Sequence, residues 1–344
     1  MPVDNPPATP SAASAARPSP SGRPKFYLTN EFGLLVLIIG FALLFSLFSK
    51  NFLSPFNMFA LGRVAAVNAM VGFAMMVVIV TGGLNLAVGA IGVCGAMFCG
   101  WLLEQVGVPW PIAIVLALAF GAALGWINGF AVVKSGLHSF IITLATMSIF
   151  FGAMVFLTRA ESFRGLPPVF SAFGTARFFG MLSPLLIVAA VVGLLLSIMY
   201  RYTVVGREML AAGAKPEAAA FSGVPVGRVF IYCHMLSGSL AALTAMLVMA
   251  RNGAAIPSMA GQLGQDWLLP AFLGPVLGGT LLAGGRASPL GTFLGAILVT
   301  MLTNGLLLLR VGEFWVQACL GLLLLLAVLI DKARRSYLAH LRVA

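Results

Sequence analysis

Residues Arg207–Val226 read REMLAAGAKPEAAAFSGVPV, a pattern that can build a short capped helix. Pro216 suits a first helical position and Glu217 complements the positive helix end. Gly223 can close the helix, and Pro225 blocks its continuation. The spacing predicts a helix over 216–222 whose surface is mostly alanine with Phe221. Such a segment serves either as a docking knob for a partner or as a plain connector. A second group of chemistry-bearing residues lies inside apolar runs: Asn68, Thr81, Asn85, Asn128, Thr143, Thr146, Ser148, Ser237, Ser239, Thr292, Thr300, Thr303 and Asn304. These uncharged groups suit a neutral, hydroxyl-rich solute. They also suit interhelical hydrogen bonds, worth about 0.6 kcal/mol each in a membrane. Asn85, Asn128 and Asn304 are the costliest to leave in lipid and are expected to face a bundle interior.

Other chemistries find no residues to run on. The sequence holds no H-E-x-x-H pair, no Gly-x-Ser-x-Gly elbow and no Walker A segment. No carboxylate lies deep in an apolar run, as an ion-coupled carrier would use. Glu31, Glu104, Asp266 and Asp331 fall at the ends of such runs, and Arg63 lies near an end, from which it can snorkel. His234 alone among the ionisable groups is clearly internal, and a packing role suits it. Cys94, Cys99, Cys233 and Cys319 lie in apolar runs without metal-type spacing and read as buried small hydrophobes. No catalytic residue and no metal site is expected.

The elements that carry these residues are membrane helices. Of the 344 residues, 60% are hydrophobic and only 8% charged, against about 25% charged in an average soluble domain. Runs such as 182–199 and 318–330 show no alternation, which favours helices over a barrel. Ten spans are expected, at about 31–49, 58–81, 84–103, 109–134, 138–157, 183–200, 227–250, 266–283, 288–309 and 314–331. The fold class is therefore an all-α integral membrane protein of about ten transmembrane helices. Residues 1–24, rich in Pro, Ala and Ser, are expected to be a disordered cytoplasmic tail. Residues 25–335 form the transmembrane domain, with a cytoplasmic loop at 201–227, and 336–344 form a cytoplasmic C-terminal tail.

The net charge of +11 belongs to topology and anionic lipid rather than to nucleic acid. With both termini in the cytoplasm, the larger share of the 20 Lys and Arg falls inside, including the basic end Lys332–Arg342. The segment 158–183 is then external. One pattern occurs twice, half a chain apart: Asn128-Gly129 is followed by Lys134 and Gly136, and Asn304-Gly305 by Arg310 and Gly312. The copies end the fourth and ninth spans, which run in opposite directions, as inverted repeats do. Gly82-Gly83 and Gly284-Gly285 interrupt the apolar pattern, and the first pair is a candidate hinge or broken-helix edge. Glycines four apart (Gly121, Gly125 and Gly129; Gly274 and Gly278; Gly291 and Gly295) are expected to let helix backbones approach.

Several segments together resemble the sugar permeases of bacterial ABC importers, the ribose-permease family. They are AGAKPEAAAFSG at 212–223, TGGLNLAVG at 81–89, FIITLATMSIF at 140–150, LGGTLLAGG at 277–285 and NGLL at 304–307. The likeness spans about 51–331. It departs from the family pattern at Asn85 (usually Asp), at Ala87 (usually Ser), at His138-Ser139 (where proline is common) and at Leu268-Leu269-Pro270. The resemblance implies an inverted-repeat bundle similar to the vitamin B12 permease class, in the bacterial inner membrane. It implies import of a monosaccharide or similar small polar solute by alternating access. A branched-chain amino acid or nucleoside permease remains the alternative within ABC transport, and an ion-coupled carrier or passive channel the alternative outside it. The implied partners are an ABC ATPase subunit (single or tandem), a periplasmic solute-binding protein and a second permease chain, identical or not. The chain itself would bind no cofactor, because ATP and Mg would be used by the partner ATPase. By position, Lys215, Pro216, Glu217, Ala218, Ala219 and Gly223 would meet that ATPase. Gly82, Gly83, Asn85, Asn128, Thr143, Ser148 and Asn304 are the candidates for the translocation path or its hinge.

Overall fold

The computed structural model describes residues 30–312, 314–326 and 329. The expected tails at 1–24 and 336–344 lie outside these residues. Proline and hydroxyl caps at helix starts, and glycines at helix ends, divide the chain into α1 (Asn30–Phe48), α2 (Pro55–Ile79), α3 (Val88–Trp101), α4 (Trp110–Ser135), α5 (Ser139–Thr158), α6 (Pro168–Thr175), α7 (Pro184–Tyr202), α8 (Val204–Ala214), α9 (Pro216–Phe221), α10 (Val226–Asn252), α11 (Leu268–Leu277) and α12 (Pro289–Leu308). A further apolar helix, α13, covers Phe314–Leu326. Ser54, Ser183, Thr203 and Ser288 accept from first-turn amides of α2, α7, α8 and α12. Left-handed Gly136 and Gly253 end α4 and α10.

Eight of these helices are long and apolar enough to cross a bilayer: α1, α2, α3 with the π-helical turn Leu102–Val106, α4, α5, α7, α10 and α12. No β-strand occurs among the described residues. The chain is a multi-pass, all-helical membrane protein. Two expected spans take a different form. The apolar run expected to be helical over 266–283 opens with a 3-10 segment, Gln262–Trp267, and its α-helix stops at Leu277. Gly279 then turns left-handed, and Thr280 N–H closes back on the Pro275 carbonyl at 2.9 Å. The run expected over 84–103 becomes helical only at Val88.

The centre of the bundle is the pair α2 and α10. Met70–Ile79 of α2 is buried on every side, as an all-round apolar helix must be. Arg63, early in α2, donates to the Arg251 carbonyl, late in α10, at 3.0 Å, so the two helices run antiparallel. The Arg63 guanidinium also lies 5.4 Å from the Phe59 ring centroid, and Arg177 lies 4.7 Å from the same ring. Arg63 is thus held by a carbonyl and a ring rather than snorkelling freely.

The glycine stripes act as expected. A Cβ on Gly125 would overlap the His234 carbonyl, and one on Gly121 would stand 2.5 Å from the Gly238 carbonyl, so α4 lies backbone-to-backbone on α10. Gly278 and Gly291 abut, and a Cβ on Gly295 would stand 2.5 Å from the Gly274 carbonyl, which joins α11 to α12. α12 packs on α2 in turn. The outer faces of α1, α5 and α7 expose Leu47, Phe156 and Leu194. Cys94, Cys99 and Cys233 are buried free thiols, and Cys319 is half-buried.

Candidate functional site

Between α2 and α3 the chain is unwound over residues 80–87, deep in the bundle, and every exposed amide there needs a partner. Leu84 N–H donates to Ser139 Oγ at 2.8 Å, and Leu86 N–H to Thr143 Oγ1 at 3.1 Å. Thr143 in turn donates to the Ser139 carbonyl at 2.7 Å, one turn back in α5. Asn85 is fully buried. Its Oδ1 accepts from Ala87 N–H at 3.2 Å, and its Nδ2 donates to Ser237 Oγ on α10 at 2.9 Å. Gly82 has φ +80°, and Gly83 is packed so closely that a Cβ would stand 3.1 Å from Val78 Cγ1 and 3.2 Å from Ser139 Oγ. The candidate residues Gly82, Gly83, Asn85 and Thr143 therefore come together around one break, and two further side chains, Ser139 and Ser237, complete it.

A second break separates α11 from α12. Gly279, Gly284 and Gly285 all have positive φ. Leu281 N–H donates to the Arg286 carbonyl at 3.3 Å, and Ser288 N–H to Thr280 Oγ1 at 3.3 Å. Ser288 caps α12 through Gly291 N–H at 3.1 Å and donates to Glu31 Oε1 at 2.8 Å, tying α1 to the same end of the bundle. Gly285 N–H donates across to the Val80 carbonyl at 2.8 Å, so the two breaks touch.

The remaining candidates stand apart. Asn128, fully buried in α4, has no protein partner for either amide atom among the described residues, and the same holds for His234 Nε2 on α10. His234 Nδ1 bonds the Phe230 carbonyl at 2.9 Å, a packing role. Asn304 pairs with Asn57 at the start of α2 through two amide bonds of 2.9 and 3.0 Å. Ser148 is exposed on the outer face of α5 beside Ala145 and Gly152. Sequence reasoning did not name Asn57, and it named Ser139 only as a departure from the family pattern, not as a site residue. Asn57 follows the Pro55 start of α2, and Ser139 stands where the resembling family commonly has proline.

The loop at 201–227 is more ordered than a connector. α7 reaches Tyr202, Thr203 caps a helix that the sequence reading missed, α8, and one extended residue, Lys215, leads into α9. α9 covers Pro216–Phe221, one residue shorter than expected. Lys215, Pro216, Glu217, Ala218 and Gly223 are exposed, whereas Ala219 turns inward. Phe221 is 93% exposed, an aromatic ring with almost no cover of its own. Gly223, at φ +84°, reverses the chain, with Val224 N–H on the Ala219 carbonyl at 3.0 Å.

A cavity of about 410 Å³ lies between α3, α4 and α5, lined by side chains such as Met97, Phe98, Trp101, Phe120, Phe150 and Leu157. It offers no converging set of polar groups and does not suit a hydroxylated solute.

A family model described as "Branched-chain amino acid transport system / permease component" matches residues 57–329. The ribose import permease protein of Bacillus subtilis (strain 168) is 35% identical over 307 residues, which cover 88% of this chain and 92% of that protein. The fructose import permease protein of Rhizobium meliloti is 31% identical over 314 residues, 89% of this chain and 86% of that protein. The autoinducer 2 import system permease protein of Yersinia enterocolitica is 35% identical over 266 residues, 75% and 78% of the two chains. No solved structure matches the chain. Relatives of this identity along most of both chains, and a family model spanning the bundle from α2 to α13, make the chain a member of the ABC-importer permease family, whose members are transport subunits and not enzymes.

Proposed function

We propose that this chain is the translocation subunit of an ATP-driven importer that carries a monosaccharide or similar small polar solute across the bacterial inner membrane. The observation that carries the reading is α9: a proline-started helix on the predicted cytoplasmic side, with Glu217 and Phe221 exposed. An uncovered aromatic beside charged groups is what a protein partner buries. The partner is an ABC ATPase, single or tandem, which uses the ATP and Mg, while this chain binds no cofactor. A periplasmic solute-binding protein delivers the cargo near 158–183, and a second permease chain completes the route. The fold is an inverted repeat of about ten spans similar to the vitamin B12 permease class, with both termini in the cytoplasm. The fourth span α4 packs on the seventh, α10, and the ninth span α12 packs on the second, α2; a shift of five spans carries one pair onto the other, which supports that symmetry.

The names of the ribose and fructose relatives support a hydroxylated cargo. The description of the matching family favours a second reading, a branched-chain amino acid. One assay tests both. The chain is reconstituted with its ATPase and binding protein in proteoliposomes, and uptake of labelled pentose and leucine is compared. The expected result is ATP-dependent uptake of the sugar and its loss in Glu217→Lys, with that variant still folded. Unchanged uptake in Glu217→Lys overturns the proposal, and so does uphill uptake by the chain without an ATPase, which leaves an ion-coupled carrier; downhill uptake alone leaves a passive channel. Leucine uptake alone keeps the mechanism and changes the cargo.

A further inference from the structure

Three backbone segments that are remote in sequence meet without side chains between them. The end of α2 presents the Val80 carbonyl, which accepts from Gly285 N–H at 2.8 Å. The last turn of α8 presents Gly213, buried at the same point, where a Cβ would overlap the Val80 carbonyl and stand 2.7 Å from the Gly285 nitrogen. A Cβ on Gly284 would stand 2.8 Å from both the Gly213 carbonyl and the Gly82 nitrogen. One on Gly285 would stand 2.7 Å from Ala214 Cα. Any side chain here would drive the segments apart.

The position of this junction gives it a consequence for transport. Both breaks in the helical bundle meet at it: residues 80–87 start there and lead to α3, and residues 278–288 pass through it at Gly284–Gly285 on the way to α12. On the other side, Gly213 stands next but one to Lys215, the one extended residue between α8 and α9. One extended residue spans about 3.5 Å and can absorb little displacement. A movement of α9 therefore passes into the end of α8, and from there into two unwound segments at once. Those segments are held by side-chain bonds such as Asn85–Ser237 and by isolated turn bonds such as Leu281–Arg286, which can re-form, rather than by continuous helix.

We propose that Gly213 is a positioning residue for transport: the bearing through which the α9 helix moves the 80–87 and 278–288 breaks together. This rests on the reading of α9 as the ATPase contact. The test uses the full complex with ATPase and binding protein in proteoliposomes. Gly213→Ala is expected to lower uptake about tenfold, an ordinary size for a coupling effect, while ATP hydrolysis and co-purification of the ATPase stay within about twofold of wild type. A merely structural defect would lower assembly, hydrolysis and uptake in proportion, and that result, or unchanged uptake, overturns the proposal. The wild-type complex supplies a second measurement that does not depend on the variant folding. Hydrogen exchange in segments 80–87 and 278–288 is expected to change together on adding ATP. A transporting complex in which only one segment responds, or neither does, sinks the junction while leaving α9 as the contact. A wild-type chain that retains no ATPase sinks the underlying reading and the junction with it.

Discussion

Asn85 and Asn128 are two fully buried amides with opposite accounts. Asn85 spends its oxygen on Ala87 N–H and its nitrogen on Ser237 Oγ, so it joins the unwound segment to α10. An aspartate at 85, the usual residue of the resembling family, could accept from both the amide and the hydroxyl, so the join survives the exchange with the hydroxyl turned round. Asn128 makes no bond with protein at either atom among the described residues. Leaving a buried donor or acceptor without its partner costs about 1–3 kcal/mol, and burying an amide without a bond costs about the same. Asn85→Leu strands the Ala87 amide and the Ser237 hydroxyl and is expected to lower stability by about 1–3 kcal/mol. Asn128→Leu removes a group that has nothing to lose and is expected to raise stability by about 1 kcal/mol. Thermal unfolding of the detergent-solubilised chain measures both, and the opposite order would refute this assignment of the two asparagines.

At the scale of elements, the α4–α10 seam is set by glycine rather than by side-chain fit. Gly125→Ala puts a methyl where the His234 carbonyl stands and is expected to cost about 1–3 kcal/mol, the usual price of overpacking. Gly40→Ala in α1, with nothing within 4 Å of the new Cβ, is expected to change stability by less than about 0.5 kcal/mol. Equal unfolding midpoints for the two variants would show that the seam tolerates separation. The glycine stripes and most span positions were legible in the sequence because hydropathy and spacing are local. The two breaks were legible only as glycine pairs, and their extent was not. Whether residues 80–87 wind into a helix is decided by Ser139, Thr143 and Ser237, which arrive from α5 and α10. An apolar run has the same composition wound or unwound. The short helices α6 and α8 were missed because eight to eleven residues carry a weak periodic signal, and α6 is fixed by packing, with Gly174 against the Ala250 carbonyl. The Asn128 and Asn304 echo was legible, but the partner Asn57 was not, since a contact across the bundle leaves no mark near either residue.

For the whole molecule, the question is where a hydrophilic solute can pass. The α2–α10 centre is packed solid with Met70, Phe73, Met75, Met76 and Met249, and the cavity beside α3 is apolar. A route through the middle of one chain would have to strip the solute of water without replacing its hydrogen bonds, at several kcal/mol for each polar group. The proposed function therefore needs a route along an outer face that a second chain closes off from lipid. The α5 face has the residues for it: Ala145, Ser148 and Gly152 leave a shallow, partly polar strip, and Gly152 has open space around it. The α7 face, with Val191, Leu194 and Leu195 exposed, reads as a lipid contact. A cysteine reacts as its thiolate, which forms in water and not in hydrocarbon. In a background with Cys319→Ser, Ser148→Cys is therefore expected to react with a charged, membrane-impermeant maleimide in the assembled importer, at a rate that changes with nucleotide. Val191→Cys at a comparable depth is expected to stay unlabelled. If both cysteines resist the reagent in every nucleotide state while uptake continues, α5 does not border the route. The solute must then cross at another face of the bundle.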